Sequence, residues 1–183
     1  MSRLIRYANL NDSEILGKIH SKSAKAGFKG IIPDNVLNDV FSIERRTKRF
    51  ISELSIGLPK TAIIFDNDEP IGFISFGRCR YGNNDNSWIE IWRVYIIQEF
   101  WGCSVSKELI EWGIRDIIKE NYKNIELWVL EKNIRARSFY EKMGFRYDNT
   151  FQITDSGKEL RYIKDSKLDY YEAEFSTYLY FNI

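Results

Sequence analysis

The spacing of hydrophobic positions changes repeatedly along the chain, and each change predicts a new element. "RLIRYAN" near the N-terminus alternates as a strand does, whereas Ile15, Leu16 and Ile19 recur at helical spacing behind the capping candidates of residues 11–13. Residues 61–80 contain two β-rich runs joined by a polar turn, which predicts a hairpin. A long strand, "WIEIWRVYII", follows that hairpin.

Helical spacing returns on either side of these strands. A short helix is predicted after Pro33 and a longer one from about Ser42. The segment 104–122 predicts a helix with these residues on its buried side: Leu109, Ile110, Ile114, Ile117 and Ile118. A buried strand, "NIELWVL", then precedes a helix over 133–143 and two closing strands.

The elements follow the order β α α β β β α β α β β, in which antiparallel strands lead into a βαβα unit. That order predicts an α/β protein with a mixed sheet and helices on both faces. We expect a sheet of about six or seven strands with about four flanking helices. Residues 1–165 are predicted to form a single domain, because a chain of 183 residues can bury one large core.

Charge and cysteine content narrow the class of protein. The net charge of +1 gives no support for binding to nucleic acid or to an anionic membrane. The N-terminus lacks the apolar run of a signal peptide, and no apolar stretch is long enough to cross a membrane. Cys79 and Cys103 have neither metal-ligand spacing nor a bridge framework. We therefore expect a cytoplasmic protein without a metal.

The helix over 133–143 contains the residues most relevant to a possible reaction. Asn133 is a good N-cap, because its side-chain oxygen accepts a hydrogen bond from a free backbone N–H. An apolar stripe follows, made of Ala136, Phe139, Tyr140 and Met143. Gly144 then supplies the residue that ends the helix. Considered alone, this helix favours a packing role for Tyr140 over a catalytic one.

The whole string "LWVLEKNIRARSFYEKMGF" resembles the second half of the GNAT superfamily of N-acetyltransferases. The matching residues are Asn133, Ala136, Phe139, Tyr140, Gly144 and Phe145. The resemblance extends over roughly residues 3–165 and is most specific in the C-terminal half. It implies a mostly antiparallel sheet splayed between two parallel strands, and its layout also looks like that of bacterial polyamine acetyltransferases.

The resemblance implies acetyl-CoA as co-substrate, held between the strand that contains Val94 and the strand "IELWVL". Backbone groups of Val94, Tyr95 and Ile96 would bind the pantetheine arm, and the N–H near Val94 would face the thioester carbonyl. Asn133 and Ala136 would lie beside that arm.

Two residues receive catalytic roles from the same resemblance. Tyr140 matches the tyrosine that protonates the leaving thiolate. Glu90 matches a glutamate that some members use as a general base, and strand alternation predicts it on the face of Trp92 and Val94. A carboxylate with an ordinary pKa near 4.3 is a weak base, so burial would have to raise its pKa.

The pyrophosphate loop departs from the family pattern. Its sequence is "WGCSVS", with Trp101 in place of arginine or glutamine and with Ser104 and Ser106 in place of glycines. The rest of the predicted phosphate site consists of Gly102, Cys103, Val105 and Lys107. A serine forced into a glycine-like conformation costs about 1–3 kcal/mol, which would weaken binding by about one to two decades.

Three functions remain open from the sequence. The first is an N-acetyltransferase that moves an acetyl group to a primary amine of a small molecule or peptide. The second is a non-catalytic CoA-binding or sensory module with a degenerate phosphate loop, and the third is a transferase that uses another acyl donor.

Three further segments have plainer interpretations. "ERRTKR" at residues 44–49 is typical of a solvated helix face. His20 falls one turn from Leu16 on the first helix, where a surface or half-buried role is favoured over one near the acceptor pocket. The aromatic tail, residues 166–183, suggests an added edge strand or a homodimer contact.

Overall fold

The structure is a computed structural model that describes residues 3–81 and 85–166. Its strands are β1 (Arg3–Tyr7), β2 (Lys60–Asp66), β3 (Glu69–Gly77), β4 (Trp88–Ile96), β5 (Asn124–Leu130), β6 (Arg146–Thr154) and β7 (Gly157–Asp165). Its α-helices are α1 (Ser13–Gly27), α2 (Asp34–Val40), α3 (Ile43–Ile56), α4 (Val105–Lys119) and α5 (Ile134–Lys142). The predicted edge strand or dimer contact of the tail lies outside the described residues, apart from Ser166.

The strands form one seven-stranded sheet in the order β1-β2-β3-β4-β5-β7-β6. Only β4 and β5 pair in parallel within it; the other neighbours are antiparallel. The predicted mixed sheet is therefore confirmed. The described residues contain five α-helices where we expected about four; the short helix predicted after Pro33 forms as α2 and is the one beyond that count.

Helices cover both faces of this sheet. Leu16 of α1 and Phe50 of α3 are fully buried against Phe73 of β3 on one face. On the other face, α4 buries Leu109 and Ile110, two of the residues predicted there. Each such side chain contributes about 1.5–3 kcal/mol through removal of apolar surface from water. None of the helices in residues 3–81 and 85–166 is long and apolar enough to cross a membrane.

Helices α1 and α3 pack closely against each other on one face of the sheet, and together with α2 we call them the wall of helices. Gly17 makes this contact possible, since a Cβ at that position would lie 2.2 Å from the Thr47 hydroxyl oxygen. The short helix α2 closes one end of the wall, where Leu37 packs with Ile32 against Leu130 at the end of β5. The polar face of α3 is thereby held over the carboxyl ends of the central strands.

Candidate active site

The two parallel strands separate half-way along their length. β4 and β5 pair from Trp88 opposite Asn124 to Ile91 opposite Leu127, and then the pairing stops. β4 continues to Ile96 on β3, and β5 continues on β7. Backbone groups on the facing edges beyond this point therefore have no strand partner across the gap. This is the splay that the resemblance implied.

A β-bulge on β4 coincides with the separation. Ile91 and Arg93 lie opposite the consecutive residues Phe76 and Ser75 of β3, so Trp92 is an extra residue in β4. A bulge bends its strand and increases the local twist, which turns β4 away from β5. The Trp92 indole N–H donates a hydrogen bond of 3.0 Å to the carbonyl of Arg78 and anchors the bulge.

Two cavities meet at the gap. One has a volume of about 570 Å³ and is lined by residues of α1 and α3; we call it the arginine cavity. The other, of about 1480 Å³, extends along the start of α4 and along α5; we call it the loop cavity. The residues that line both are Val94, Ile96, Trp101, Arg135, Ala136 and Tyr140. A molecule lying in the gap would contact both cavities.

Residues of the predicted phosphate loop line the loop cavity. They are Trp101, Gly102, Cys103, Ser104, Ser106 and Lys107. Val105 differs, because its side chain is fully buried in the core and only its backbone remains for a ligand. No side chain caps the start of α4, which leaves the first-turn N–H groups free to bind an anion.

The expected strain at the serines is absent. Ser104 has φ −65° and ψ −10°, which is ordinary helical geometry, and Ser106 lies within α4. Within the loop only Gly102, with φ +77°, adopts a conformation that favours glycine. The expectation of a glycine-like serine was wrong, because the single left-handed residue of the loop falls on the glycine that the sequence kept.

The loop cavity has a cationic lining. Six of its residues are basic, namely Lys107, Arg115, Lys119, Arg135, Lys142 and Lys164, whereas Glu111 is its one acidic residue among those described. Cations of this kind, next to a free helix N-terminus, suit the phosphates of a nucleotide. The chemistry of the loop cavity therefore fits the nucleotide end of CoA.

Trp101 makes contacts that the sequence did not indicate. Its indole N–H donates a hydrogen bond of 2.8 Å to the Ile96 carbonyl, one of the backbone groups on the edge of the gap. The Arg135 guanidinium carbon lies 3.2 Å from the centre of the Trp101 ring. The pair crosses from the loop to α5 where the two cavities meet. Trp101 thus occupies part of the β4 edge itself.

Tyr140 lies on the wall of both cavities. It is half-buried, and its ring packs against those of Phe139 and Phe145 at centroid distances of 5.4 Å and 5.9 Å. Its hydroxyl makes no hydrogen bond to any of the described residues, which leaves it available to a ligand. Burial, followed by the nearby Tyr95 hydroxyl, raises the pKa of Tyr140, so that its phenol stays protonated.

The start of α5 is as predicted. The Asn133 side-chain oxygen accepts a hydrogen bond of 3.2 Å from the Ala136 N–H, which caps the helix. Gly144, with φ +81°, follows the helix end. Asn133 also lines the arginine cavity, and its amide nitrogen makes no hydrogen bond to any of the described residues. Capping therefore uses only one end of this amide.

Tyr95 presents its side chain to the opposite face from Val94. The Tyr95 ring stacks on Phe73 at 5.5 Å and lies 4.4 Å from the His20 ring. Burial raises the pKa of Tyr95 to about 12. The Tyr95 side chain therefore lines the arginine cavity, while its backbone lies on the edge of the gap.

Glu90 is placed differently from the expectation. The bulge at Trp92 breaks the alternation of β4, so Glu90 faces away from Val94. Its carboxylate is fully buried and accepts hydrogen bonds of 2.8 Å from the backbone N–H and from Nε of Arg80, with a third from Nη2. Burial raises the pKa of Glu90, although Arg80 opposes this shift. Arg80, and not Glu90, lines the arginine cavity.

The expectation of a surface or half-buried His20 was wrong, whereas Glu44, Arg45, Lys48 and Arg49 of the predicted solvated face are exposed and Arg46 is half-buried. His20 is only 3% exposed and lies among Phe41, Phe50, Phe73 and Tyr95, on the wall of the arginine cavity. Three arginines of α3 line the same cavity, namely Arg45, Arg46 and Arg49. Their spacing repeats that of Phe50 and Glu53, the two buried residues of α3, and this was the signal available in the sequence.

Comparison with known proteins agrees with this geometry. Residues 34–145, more than half of the chain, match the model described as the acetyltransferase (GNAT) family, which defines the class as acetyl-CoA-dependent acyltransferases. The chain belongs to the GNAT family.

A curated Bacillus subtilis protein, described as the uncharacterized N-acetyltransferase YuaI, is 24% identical over 132 residues, which are 70% of this chain and 72% of that protein.

Solved structures show the same fold. The PaiA N-acetyltransferase of Thermoplasma acidophilum, in complex with coenzyme A, superposes with a TM-score of 0.68 and 22% identity, over 88% of this chain and 98% of that one. The yncA protein of Salmonella typhimurium, solved with acetyl-CoA, gives a TM-score of 0.67 and 14% identity over 91% and 95%. Among the described residues of this chain, no group of three or more His, Cys, Asp or Glu residues is placed to hold a metal.

Proposed function

We propose that the chain transfers an acetyl group directly from acetyl-CoA to a primary amine of a small molecule or peptide. The observation that carries this proposal is the gap between β4 and β5, with the Tyr140 hydroxyl between two cavities of different chemistry and without a hydrogen-bond partner in the described part of the chain. The loop cavity would hold the nucleotide, the gap would hold the pantetheine arm, and the arginine cavity would hold the amine.

The facing edges of β4 and β5 suit the pantetheine arm, because extended amides can bond to an unpaired strand edge. A backbone N–H near Val94 would stabilise the negative charge that develops on the thioester oxygen. Because the indole of Trp101 already bonds to the Ile96 carbonyl, the arm would use the edge between Trp92 and Tyr95.

The transfer needs one bond formed and one broken. The neutral amine nitrogen attacks the thioester carbonyl carbon, a C–N bond forms, and the C–S bond breaks. Tyr140 gives its proton to the departing sulfur and regains one from solvent, while the proton lost by the amine passes to water in the arginine cavity. The products are the acetylated amine and CoA with a free thiol.

Glu90 would act on this reaction through Arg80. Its two carboxylate oxygens already accept three hydrogen bonds from Arg80, and its own surface is not exposed to the cavity. A base must reach the proton that it abstracts, directly or through one water. We therefore propose Glu90 as a positioning residue that holds Arg80 on the cavity wall.

Two measurements on the purified chain test the proposal. Acetyl-CoA is expected to raise the melting temperature, and a panel of primary amines is expected to release free thiol from it. Stabilisation without thiol release on any amine would favour the non-catalytic CoA-binding module. Release with longer acyl-CoAs but not with acetyl-CoA would favour another acyl donor.

A further inference from the structure

We infer that the amine acceptor also carries an anionic group, a carboxylate or a phosphate, which Arg46 binds. This inference rests on the proposed function, since it names the substrate class of the same site. It follows from the charges on the wall of the arginine cavity and from the contacts of Arg46.

The wall has more positive charges than its carboxylates neutralise. Six arginines line the cavity: Arg45, Arg46, Arg49, Arg80, Arg93 and Arg135. Four carboxylates offset them: Glu159 lines the cavity, and Asp39, Glu53 and Glu90 pair with four of the arginines. The described residues therefore leave an excess of two positive charges.

The ion pairs show which of the lining arginines have no carboxylate partner. Arg45 pairs with Asp39 at 2.9 Å, and Arg80 pairs with Glu90. Glu53 serves two partners, with contacts of 2.6 Å to Arg93 and 2.5 Å to Arg49. Arg46 and Arg135 are the two lining arginines without a carboxylate partner among the described residues. Arg135 is exposed and lies on Trp101 where the two cavities meet, whereas Arg46 of α3 is half-buried and lines the arginine cavity alone.

Arg46 keeps most of its hydrogen-bonding capacity. Its Nε donates a hydrogen bond of 2.7 Å to the Val40 carbonyl, and its guanidinium lies 4.8 Å from the centre of the Phe41 ring. These contacts fix the plane of the group. Nη1 and Nη2 make no hydrogen bond to any described residue, and together they form the fork that binds a carboxylate or phosphate with two hydrogen bonds.

The surroundings of Arg46 increase its need for an anion. Burial, together with the positive charges of Arg93 and Arg49, lowers the pKa of Arg46, which means that its charged form is poorly stabilised. His20 adds no charge, because burial and the positive charges of Arg93 and Arg46 hold its pKa well below 6.5 and keep it neutral. The His20 Nδ1 atom is buried and has no hydrogen-bond partner among the described residues.

A dicationic polyamine would meet an unfavourable field in this cavity. Like charges within a few ångströms repel, and a cavity with low-dielectric walls strengthens the effect. An anionic group beside Arg46 removes the repulsion and leaves the amine free to point towards the gap. The volume of about 570 Å³ suits a small molecule of this kind.

Matched pairs of acceptors test the inference. 6-Aminohexanoate against hexylamine, and glucosamine 6-phosphate against glucosamine, differ in the anion while the reacting amine stays alike; 1,4-diaminobutane represents the polyamines. We expect kcat/KM in the parent chain to favour the anionic member of at least one pair by about tenfold to a hundredfold. Equal rates within each pair, or a preference for 1,4-diaminobutane, would overturn the inference.

Arg46→Gln, with Arg146→Gln as its control, tests the residue assignment. Arg146 is exposed on β6, lines neither cavity, and carries the same charge. We expect Arg46→Gln to abolish the preference for the anion, chiefly through KM, and Arg146→Gln to keep it. A preference that survives Arg46→Gln would remove Arg46 from the site. The ratio in the parent chain decides the substrate class even if Arg46→Gln fails to fold.

Calorimetric titration of the CoA-loaded parent chain separates this inference from the proposed function. Tighter binding of 6-aminohexanoate or glucosamine 6-phosphate than of its uncharged partner, without acetyl transfer, would contradict the transferase and support the anion site. Transfer to hexylamine and glucosamine at the same rates as to their anionic partners would support the transferase and contradict the anion site.

Discussion

Tyr140, whose hydroxyl lies at the junction of two cavities and has no hydrogen-bond partner within residues 3–81 and 85–166, is the residue on which the proposed chemistry depends most. The Tyr140 ring is held by Phe139 and Phe145, so its position is fixed by packing and not by a hydrogen bond. Since burial raises the pKa of Tyr140, its phenol remains a proton donor under ordinary conditions. A leaving thiolate in the gap would be its natural acceptor.

We expect Tyr140→Phe to lower kcat by about 10²-fold or more, because the thiolate would leave without a proton donor. The affinity for acetyl-CoA should change by less than about threefold, since the ring and its packing remain. Steady-state kinetics and calorimetric titration measure the two effects.

Tyr147→Phe is the matched control for this change. Tyr147 is half-buried on β6, packs on Tyr162, and lines neither cavity. Activity in the control should remain near that of the parent. Equal kcat for Tyr140→Phe and the parent across the pH range would exclude Tyr140 from the mechanism.

At the scale of elements, the bulge in β4 and the turn into α4 together make the gap a binding site. The bulge at Trp92 separates the strands, and the start of α4 presents free N–H groups to the loop cavity. Trp101 connects the loop before α4 to β4, because its indole N–H donates a hydrogen bond to the Ile96 carbonyl. The unusual loop sequence thus has a structural role on the strand edge.

Trp101→Phe tests that role in the chain without ligand. Phenylalanine keeps an aromatic ring beside Arg135 but leaves the Ile96 carbonyl without its donor. An unsatisfied group of this kind costs about 1–3 kcal/mol in the free energy of unfolding. Denaturant unfolding should therefore show a loss of about that size beyond any loss from packing.

Trp112→Phe supplies the comparison, because Trp112 is half-buried against Tyr7 and its indole N–H has no hydrogen-bond partner among the described residues. Its substitution removes the same atoms without breaking a hydrogen bond. Equal destabilisation by the two substitutions would mean that the bond to Ile96 contributes little.

The elements could be predicted from the sequence where hydrophobic spacing alone decides them. The helix α4 buries Leu109, Ile110, Ile114 and Ile117 as expected, and Asn133 and Gly144 bound α5 as expected. These features depend on neighbours in the chain. Hydrophobic periodicity and capping residues are therefore enough to predict the buried face of α4 and the ends of α5.

The site could be predicted only in part, because it depends on irregular geometry. The bulge at Trp92 reverses the face of Glu90, and alternation gives no sign of it. The loop serines escape strain because the left-handed residue is Gly102. Arg46 of α3 is half-buried on the wall of the arginine cavity although Arg45 and Arg49 are exposed, so its placement depends on tertiary packing.

At the scale of the whole molecule, one carboxylate joins the wall of helices to the sheet. Glu53 of α3 is 4% exposed and pairs with Arg93 of β4 and with Arg49 of its own helix. Burial alone would raise the pKa of Glu53, but hydrogen bonds and charges from Arg93 and Arg49 hold it below its ordinary value of 4.5. The ionised form is therefore the form that stabilises the fold.

Glu53→Gln should lower the free energy of unfolding at pH 7 by about 3 kcal/mol, since two arginines lose their shared partner. Because the pKa of Glu53 is depressed in the folded state, its contribution is present above pH 4.5 and is lost as the pH falls through the folded value. Denaturant unfolding of parent and variant should thus converge in acid.

Glu69→Gln is the control, because Glu69 is exposed on β3 and has no partner among the described residues. Its effect should stay within about 0.5 kcal/mol. A constant difference between Glu53→Gln and the parent from pH 7 down to pH 2 would contradict the linkage.

A crystal structure of the chain with acetyl-CoA tests the central claim most directly. We predict the pantetheine arm between β4 and β5 beyond Ile91, the pyrophosphate at the start of α4, and the thioester sulfur within about 3.5 Å of the Tyr140 hydroxyl. Acetyl-CoA bound outside the gap, or a Tyr140 hydroxyl turned away from the sulfur into the core, would contradict the account.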